Sequence, residues 1–175
     1  MKATGVVRRI DELGRIVIPK ELRKNLRINE GENIEIYMDD NENIILKKFS
    51  SLKKVSDLAS YVVSSINQIT KLNCFIMDSD SIVAYAGGSK KEYQDKTIGS
   101  FLLNILNEKN DAYSLAKETI QIVNTKTEDV YYDVKLIKQN GDVLGGIVLF
   151  SSDNISGNHR QILDTFQLFL EKYLE

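Results

Sequence analysis

Apolar and polar residues alternate in short runs over the first fifty positions of the chain. Their spacing predicts one helical turn, at residues 20–26, and four short strands, at residues 3–10, 15–18, 34–38 and 44–46. Gly14 can take the positive φ that a tight turn needs. Pro19 fits the first position of a helix, where its missing N–H costs nothing. We therefore expect a small, strand-rich domain at residues 1–50.

Apolar residues at the spacing of helices and strands continue over residues 53–175 and predict a second, larger domain. Helical spacing indicates helices at residues 52–70 and 98–106 and a shorter helical piece at residues 112–119. Ser156 can cap a last helix. Alternating or continuous apolar runs indicate strands at residues 73–77, 82–86, 130–137 and 143–150. The Asn140-Gly141 pair favours a hairpin turn between the last two. This order predicts an α+β domain, with helices packed on an antiparallel sheet.

Charged residues are distributed unevenly, although the formal net charge is only −2. Residues 1–27 carry eight basic and three acidic side chains, a formal charge of +5. Residues 28–46 carry six acidic side chains and no basic ones, a formal charge of −6. This separation predicts a basic face and an acidic face on the first domain.

Five basic residues crowd the predicted turn at residues 11–14 and the helix after it: Arg8, Arg9, Arg15, Arg23 and Lys24. Guanidinium groups suit phosphate oxygens and the acceptor edge of guanine. The pattern therefore favours a surface that binds a polyanion. The alternative is a solvated basic face, on which exposed ion pairs contribute less than ~1 kcal/mol each.

The order of turn, charged and apolar residues resembles a known DNA-binding domain. Residues 4–19, TGVVRRIDELGRIVIP, with ELRK at 21–24, IEIY at 34–37 and IILKK at 44–48, are similar to the DNA-binding domain of AbrB-type transition-state regulators. The resemblance implies a swapped-hairpin β-barrel, in which two chains interleave, and double-stranded DNA as the partner. It also implies the DNA-binding residues, which are Arg8, Arg9, Arg15, Arg23 and Lys24. At position 24, lysine keeps the charge but lacks the bidentate fork of arginine.

The first domain is small for an independent fold. A unit of about fifty residues buries little surface, and the single cysteine of the chain excludes an internal disulfide. Ile16, Val17 and Ile18 are apolar on both faces of their predicted strand, so both faces need to be covered. The simplest cover is a two-fold partner, and we expect an obligate homodimer through this domain.

The order of elements in the second domain resembles that of GAF-type sensor domains. An AbrB-type domain followed by such a domain, at this chain length, resembles a family of bacterial sporulation regulators, which implies control of late sporulation genes. The second domain is then expected to add subunit contacts and to assemble dimers into a tetramer through its terminal helices.

A small-molecule effector is compatible with the second domain. The loop at residues 87–99, with Tyr93, can cover a cavity beside the sheet, and Tyr131 and Tyr132 can line one. Ordinary sheet packing is the alternative for tyrosines in strands. No effector-binding residue is identified, and no cofactor is predicted.

Catalytic chemistry has little support in the sequence. His159, the only histidine, lies beside Arg160 near a predicted helix start, and Cys74 lies in an apolar run typical of a buried thiol. A nucleophilic triad is therefore not indicated, and no enzyme is predicted. No membrane-span or signal-peptide pattern is present, so we expect a cytoplasmic protein.

The sequence favours a DNA-binding transcription regulator with a regulatory or assembly domain. The alternative is an antitoxin-like binding module, because the same N-terminal domain occurs in antitoxins of toxin pairs. Those antitoxins carry a short disordered tail that grips the toxin. Here, residues 52–175 have the pattern of a folded domain.

Overall fold

The computed structural model describes residues 5–28 and 30–175, which form two compact units that divide between Phe49 and Ser50. The first unit contains one helix and a two-stranded antiparallel hairpin, α1 Lys20–Asn25, β1 Ile34–Met38 and β2 Ile44–Lys48. Asp39 closes the hairpin turn, because its Oδ1 accepts the backbone N–H groups of Asn41 and Asn43, each at 2.9 Å. The helix and these two strands confirm the prediction from spacing.

The two strands predicted at residues 3–10 and 15–18 are wrong for the single chain. Residues 3 and 4 lie outside the described residues, and residues 5–10 and 15–18 pair with no strand in the described part of the chain. A strand needs a neighbour for its N–H and C=O groups. The chain supplies only the turn between them, in which Asp11 N–H donates to Arg15 O at 3.0 Å.

The second unit is an antiparallel sheet with helices on both faces. Its strands are β3 Asn73–Met77, β4 Ile82–Ala86, β5 Ala112–Tyr113, β6 Glu118–Val123, β7 Lys126–Gln139 and β8 Asp142–Ser151. The sheet has the order β4-β3-β8-β7-β5, and β6 also pairs with β7. The helices are α2 Ser51–Lys54, α3 Ser56–Thr70, α4 Lys90–Tyr93, α5 Ser100–Glu108 and α6 Gly157–Leu174. The predicted α+β class is confirmed.

Two predicted elements of this unit are corrected. The helix expected at residues 52–70 is broken at Val55 into α2 and α3. Residues 112–119, expected to be helical, form β5 and the start of β6. The physical reason is edge pairing: Ala112 and Tyr113 pair with β7, and Ser114 N–H donates to Tyr132 O at 3.0 Å. Hydrogen bonds to a distant strand outweigh a weak local helical period.

The sheet of the second unit separates two hydrophobic cores. Helices α2, α3 and α6 cover one face, through buried residues such as Leu52, Ile66 and Leu163. Helix α5 and strand β6 cover the other face, through Leu102 and Ile122 among others. Strand β8 is central and mostly buried, as its apolar run predicts.

Cys74 is a further feature of this unit that agrees with the sequence. Cys74 is fully buried, and burial raises the pKa of its thiol, so the predicted core thiol is confirmed. No helix in residues 5–28 and 30–175 is both long enough and apolar enough to cross a membrane.

Candidate nucleic-acid interface

The turn at residues 11–15 fixes the position of Arg15. Asp11 Oδ1 accepts the backbone N–H of Leu13 at 3.0 Å and that of Arg15 at 2.8 Å. Gly14 has a φ of +75°, which glycine adopts without steric cost. The turn is therefore held by one carboxylate oxygen, by Gly14 and by the backbone hydrogen bonds from Asp11 N–H to Arg15 O and from Gly14 N–H to Asp11 O.

The second oxygen of Asp11 contacts the Arg15 side chain. Asp11 Oδ2 lies 2.7 Å from Arg15 Nε, and the two side chains are 42% and 70% exposed. The backbone N–H of Arg15, followed by its guanidinium group, holds the pKa of Asp11 below its usual value. Arg15 Nη1 and Nη2 make no hydrogen bond with any described residue, and the side chain as a whole is mostly exposed.

The other basic residues predicted to bind DNA lie on either side of this turn. Arg8 and Arg9 are exposed in the segment before it, and Lys24 is exposed on α1. Arg23 is half-buried on α1, and its Nε has no hydrogen-bond partner in the part of the chain that the structure describes. All five residues belong to the first unit.

The first unit has no core of its own within the described residues. None of its described residues is buried. Several large apolar side chains are mostly exposed, among them Val7 at 93%, Ile10 at 70% and Val17 at 71%. A folded unit does not normally leave this much apolar surface in water.

Sequence reasoning missed the role of Asp11, which was treated only as a turn residue. The signal that could have revealed it is the spacing of an acid and an arginine four residues apart. In a helix that spacing places the two side chains side by side. Here a tight turn brings them together instead, and spacing alone does not distinguish the two cases.

A cavity of about 420 Å³ in the second unit lies beside α4 and the start of β7. The stacked rings of Tyr85 and Tyr93, with centroids 4.7 Å apart, form part of its wall. Tyr93 O–H donates to Glu128, and Lys126 Nζ lies 2.7 Å from Glu128 Oε1. Burial, and then the bond to Glu128, raises the pKa of Tyr93 to about 12.

The predicted cavity residues are therefore only partly brought together. Tyr93 lies in the wall of the cavity, whereas Tyr131 and Tyr132 do not line it. Tyr132 packs against Phe101, with ring centroids 4.8 Å apart. Within the described residues, no group of three or more His, Cys, Asp or Glu side chains lies close enough to hold a metal ion.

Comparison with known proteins shows that the chain is a transcription regulator. Residues 54–175 match the family described as stage V sporulation protein T C-terminal, transcription factor. The chain belongs to this stage V sporulation protein T family of transcription regulators. Residues 7–54 match a second family, described as antidote-toxin recognition MazE, bacterial antitoxin.

Individual relatives match either the whole chain or its first unit. Stage V sporulation protein T of Bacillus subtilis is 38% identical over 100% of this chain and 99% of its own length. The N-terminal DNA recognition domain of the Bacillus subtilis regulator AbrB is 62% identical over 29% of this chain and 92% of that domain. Its TM-score is 0.26, so the likeness is one of sequence.

The second unit has a GAF-like fold. The GAF domain of an Acinetobacter phosphoenolpyruvate-protein phosphotransferase covers 73% of this chain and 84% of its own length, with a TM-score of 0.52. The two sequences are 12% identical, so the likeness concerns the fold alone.

Proposed function

We propose that the first unit binds specific double-stranded DNA as a homodimer, and that the chain regulates late sporulation genes in the cytoplasm. The observation that carries the proposal is the exposed side chain of Arg15 at a turn flanked by Arg8, Arg9, Arg23 and Lys24. The 62% identity to a DNA recognition domain supports it. Sporulation as the setting rests on the family.

The dimer is proposed to be an interleaved, swapped-hairpin barrel. Residues 5–18 have apolar side chains in water and backbone groups without a strand partner. A second copy of the same segment offers both the missing ladder and a cover for Val7, Ile10 and Val17. Because none of the unit's described residues is buried in the single chain, folding and dimerisation are proposed to be one event.

The dimer doubles the basic surface. Five basic positions in each chain give about ten phosphate contacts at most, so log K falls with log salt at a slope of up to roughly −9. The slope is smaller if some arginines contact bases instead of phosphates. Guanidinium contacts to guanine supply the sequence preference.

We propose that residues 1–50 bind DNA and that residues 53–175 form a regulatory domain or assemble the subunits. Exposed apolar side chains on α3 and α6, Tyr61, Ile69, Phe169 and Tyr173, support assembly of dimers into a tetramer. The cavity beside α4 is the proposed place for a small effector. Neither role involves catalysis.

A toxin-binding module is the second candidate, because residues 7–54 match an antitoxin family. That match covers only the first unit. In the described part of the second unit, a six-stranded sheet and five helices replace the short disordered tail expected of an antitoxin. The regulator therefore accounts for more of the chain.

Two measurements test the proposal. Mobility shifts of the full chain on genomic fragments across a salt series should show fragment preference and a negative slope. Sedimentation of residues 1–52 should show a dimer. Equal affinity for every fragment would contradict sequence-specific binding, and a folded monomer would contradict the interleaved barrel.

A further inference from the structure

The Asp11 carboxylate makes two separate sets of contacts through its two oxygens. Oδ1 accepts the N–H groups of Leu13 and Arg15 and so closes the turn. Oδ2 accepts no hydrogen bond from the turn backbone and instead accepts Arg15 Nε–H at 2.7 Å. One oxygen thus supports the turn, together with its backbone hydrogen bonds, and the other contacts the Arg15 side chain.

The hydrogen bond through Nε restricts the Arg15 side chain but does not involve Nη1 and Nη2, the atoms that can contact a base. An arginine has five N–H donors in a planar fork, and a single Nε bond leaves the four on Nη1 and Nη2. Those four can form the bidentate pair with guanine O6 and N7 that base recognition uses. Because the Arg15 side chain is 70% exposed, this end can reach a duplex.

An unrestrained arginine would lose more freedom on binding. Long charged side chains carry rotamer entropy that must be lost when they are ordered. An anchored guanidinium has lost part of this entropy before DNA arrives. Its plane is also defined, and a bidentate contact depends on that plane.

We propose that Asp11 is a positioning residue for Arg15, which orients the guanidinium group for contact with a base edge. The inference rests on the proposed function, because it assigns a role within the DNA-binding surface. Asp11 itself touches no nucleic acid in this scheme. Its contribution is to specificity rather than to overall affinity.

Electrostatics alone predicts the opposite effect of removing this acid. A carboxylate on a surface that meets phosphates is repelled by them, so its neutralisation should strengthen binding to any DNA. A positioning role predicts weaker binding to the preferred duplex in spite of that gain. The sign of the effect therefore separates the two explanations.

Asp11→Asn is the discriminating variant, because the amide keeps one oxygen for the turn. The –NH₂ group replaces the other oxygen and places a donor against the Arg15 Nε donor. Glu12→Gln is the matched control. It removes the same charge from the next residue, whose side chain is exposed and has no hydrogen bond or ion pair with a described residue.

The test uses the full chain and two duplexes, one enriched from a random pool by the unaltered protein and one with the same bases scrambled. Asp11→Asn should weaken binding to the enriched duplex by about threefold to thirtyfold, since part of a bidentate contact is lost. Binding to the scrambled duplex should stay equal or become tighter. Glu12→Gln should bind both duplexes equally well or more tightly.

A double-mutant cycle excludes a merely structural role. In an Arg15→Ala background, Asp11→Asn should cause no further loss of affinity for the enriched duplex. An equal loss in that background would overturn the proposal, as would Asp11→Asn binding as tightly as Glu12→Gln. If the unaltered chain binds the two duplexes alike, the proposed function itself fails, which is a distinguishable result.

A second measurement covers the case in which Asp11→Asn disturbs the fold. In the unaltered chain without DNA, the Arg15 Nε–H signal in nuclear magnetic resonance should exchange more slowly than that of Arg8, which has no such acceptor among the described residues. Equal exchange rates would show that Arg15 is not held, and would overturn the proposal.

Discussion

Arg15 and Asp133 are both charged side chains, but Arg15 is exposed and Asp133 is buried. This difference decides the consequence of each charge. The Arg15 side chain is 70% exposed. Asp133 on β7 is 1% exposed, and neither of its oxygens accepts a hydrogen bond from any described residue. The first charge is available to a partner, whereas the second is a cost inside the fold.

Arg15→Ala should weaken DNA binding while the dimer remains intact. Loss of a base or phosphate contact costs ~1–3 kcal/mol, and a dimer loses two, so the expected loss of affinity is tenfold or more. Fluorescence anisotropy at moderate salt measures the affinity, and sedimentation measures the dimer. Lys117→Ala, a change at an exposed residue of the second unit, is the control and should leave affinity unchanged. Unchanged affinity in Arg15→Ala would count against the arginine surface.

The groups around Asp133 do not compensate its charge fully. Arg160 Nε on α6 lies 4.0 Å from Asp133 Oδ2, beyond hydrogen-bond distance. The Arg160 guanidinium instead donates to Ser114 O at 2.9 Å. Lys135 Nζ is 2.8 Å from Asp164, and Asp111 adds a third acid. Burial therefore raises the pKa of Asp133 to about 6 from its usual 3.8.

Asp133 should make the stability of the second unit depend on pH. Because its folded pKa lies above the unfolded value, its stabilising contribution is present below pH ~4 and lost as pH rises through ~6. The loss amounts to at most about 3 kcal/mol. Asp133→Asn should remove this term, so the unfolding temperature of the variant should exceed that of the unaltered chain by a margin that grows from pH 5 to pH 7.5.

Scanning calorimetry of the full chain across this pH range measures the margin. Asp142→Asn, a change of an exposed acid at the start of β8, is the control and should show no such trend. Parallel curves for Asp133→Asn and the unaltered chain would show that Asp133 is already neutral or already compensated.

At the scale of elements, pairing with a distant strand decides between helix and strand where local spacing is a poor guide. Residues 112–119 have a helical period, yet Ala112 and Tyr113 pair with Val134 and Asp133 on β7. The long strands β7 and β8 were predicted well, because an Asn-Gly turn joins neighbours in sequence. Short edge strands lack such a local signal.

Helix α2, the first element of the second unit, packs against strand β8 at Gly145, which has no side chain in the way. A Cβ at Gly145 would collide with Met77 O and would lie 2.6 Å from Leu52 Cδ1. Lys53 Nζ, on the same helix, lies 3.0 Å from the buried carboxylate of Asp78. The missing side chain at Gly145 therefore allows α2 to approach β8 closely.

Gly145→Ala should destabilise the second unit by about 1–3 kcal/mol, since a crowded backbone atom cannot move aside. Gly157→Ala is the matched control. It adds the same methyl group at the first residue of α6, where nothing lies within 4 Å, and should be neutral or slightly stabilising. Urea unfolding followed by circular dichroism measures both. Equal midpoints would show that α2 can shift without cost.

At the scale of the whole molecule, the two units differ in how complete each is alone. The second unit has two cores and a six-stranded sheet in a single chain. The first has no buried residue among those described. This difference supports the proposal that the second unit folds by itself, whereas the first depends on a second copy.

Residues 50–175 should therefore fold alone and bind no DNA. The fragment begins at Ser50 because the Ser50 hydroxyl accepts Lys53 N–H at 3.2 Å and Leu52 is fully buried. Circular dichroism should show a cooperative transition, and a mobility-shift assay with genomic fragments should show no complex. A complex at moderate salt would place a nucleic-acid site in the second unit.

Side-chain spacing alone predicted most elements of the second unit, the α+β class and the crowding of arginines around one turn. These features are local, because a period of two or of 3.6 residues reports which face of an element is apolar. The order of residues 4–24 also carried the resemblance to DNA-binding regulators. None of this required knowledge of which segments meet.

Three features depended on which groups meet in the folded chain. They are the strand at residues 112–113, the unpaired state of residues 5–18, and the separate roles of Asp11 Oδ1 and Oδ2. A strand exists only where another backbone receives its hydrogen bonds, and a charge acquires its role from the groups that face it. Composition and period do not record those neighbours, because they come from distant parts of the chain or from the geometry of a turn.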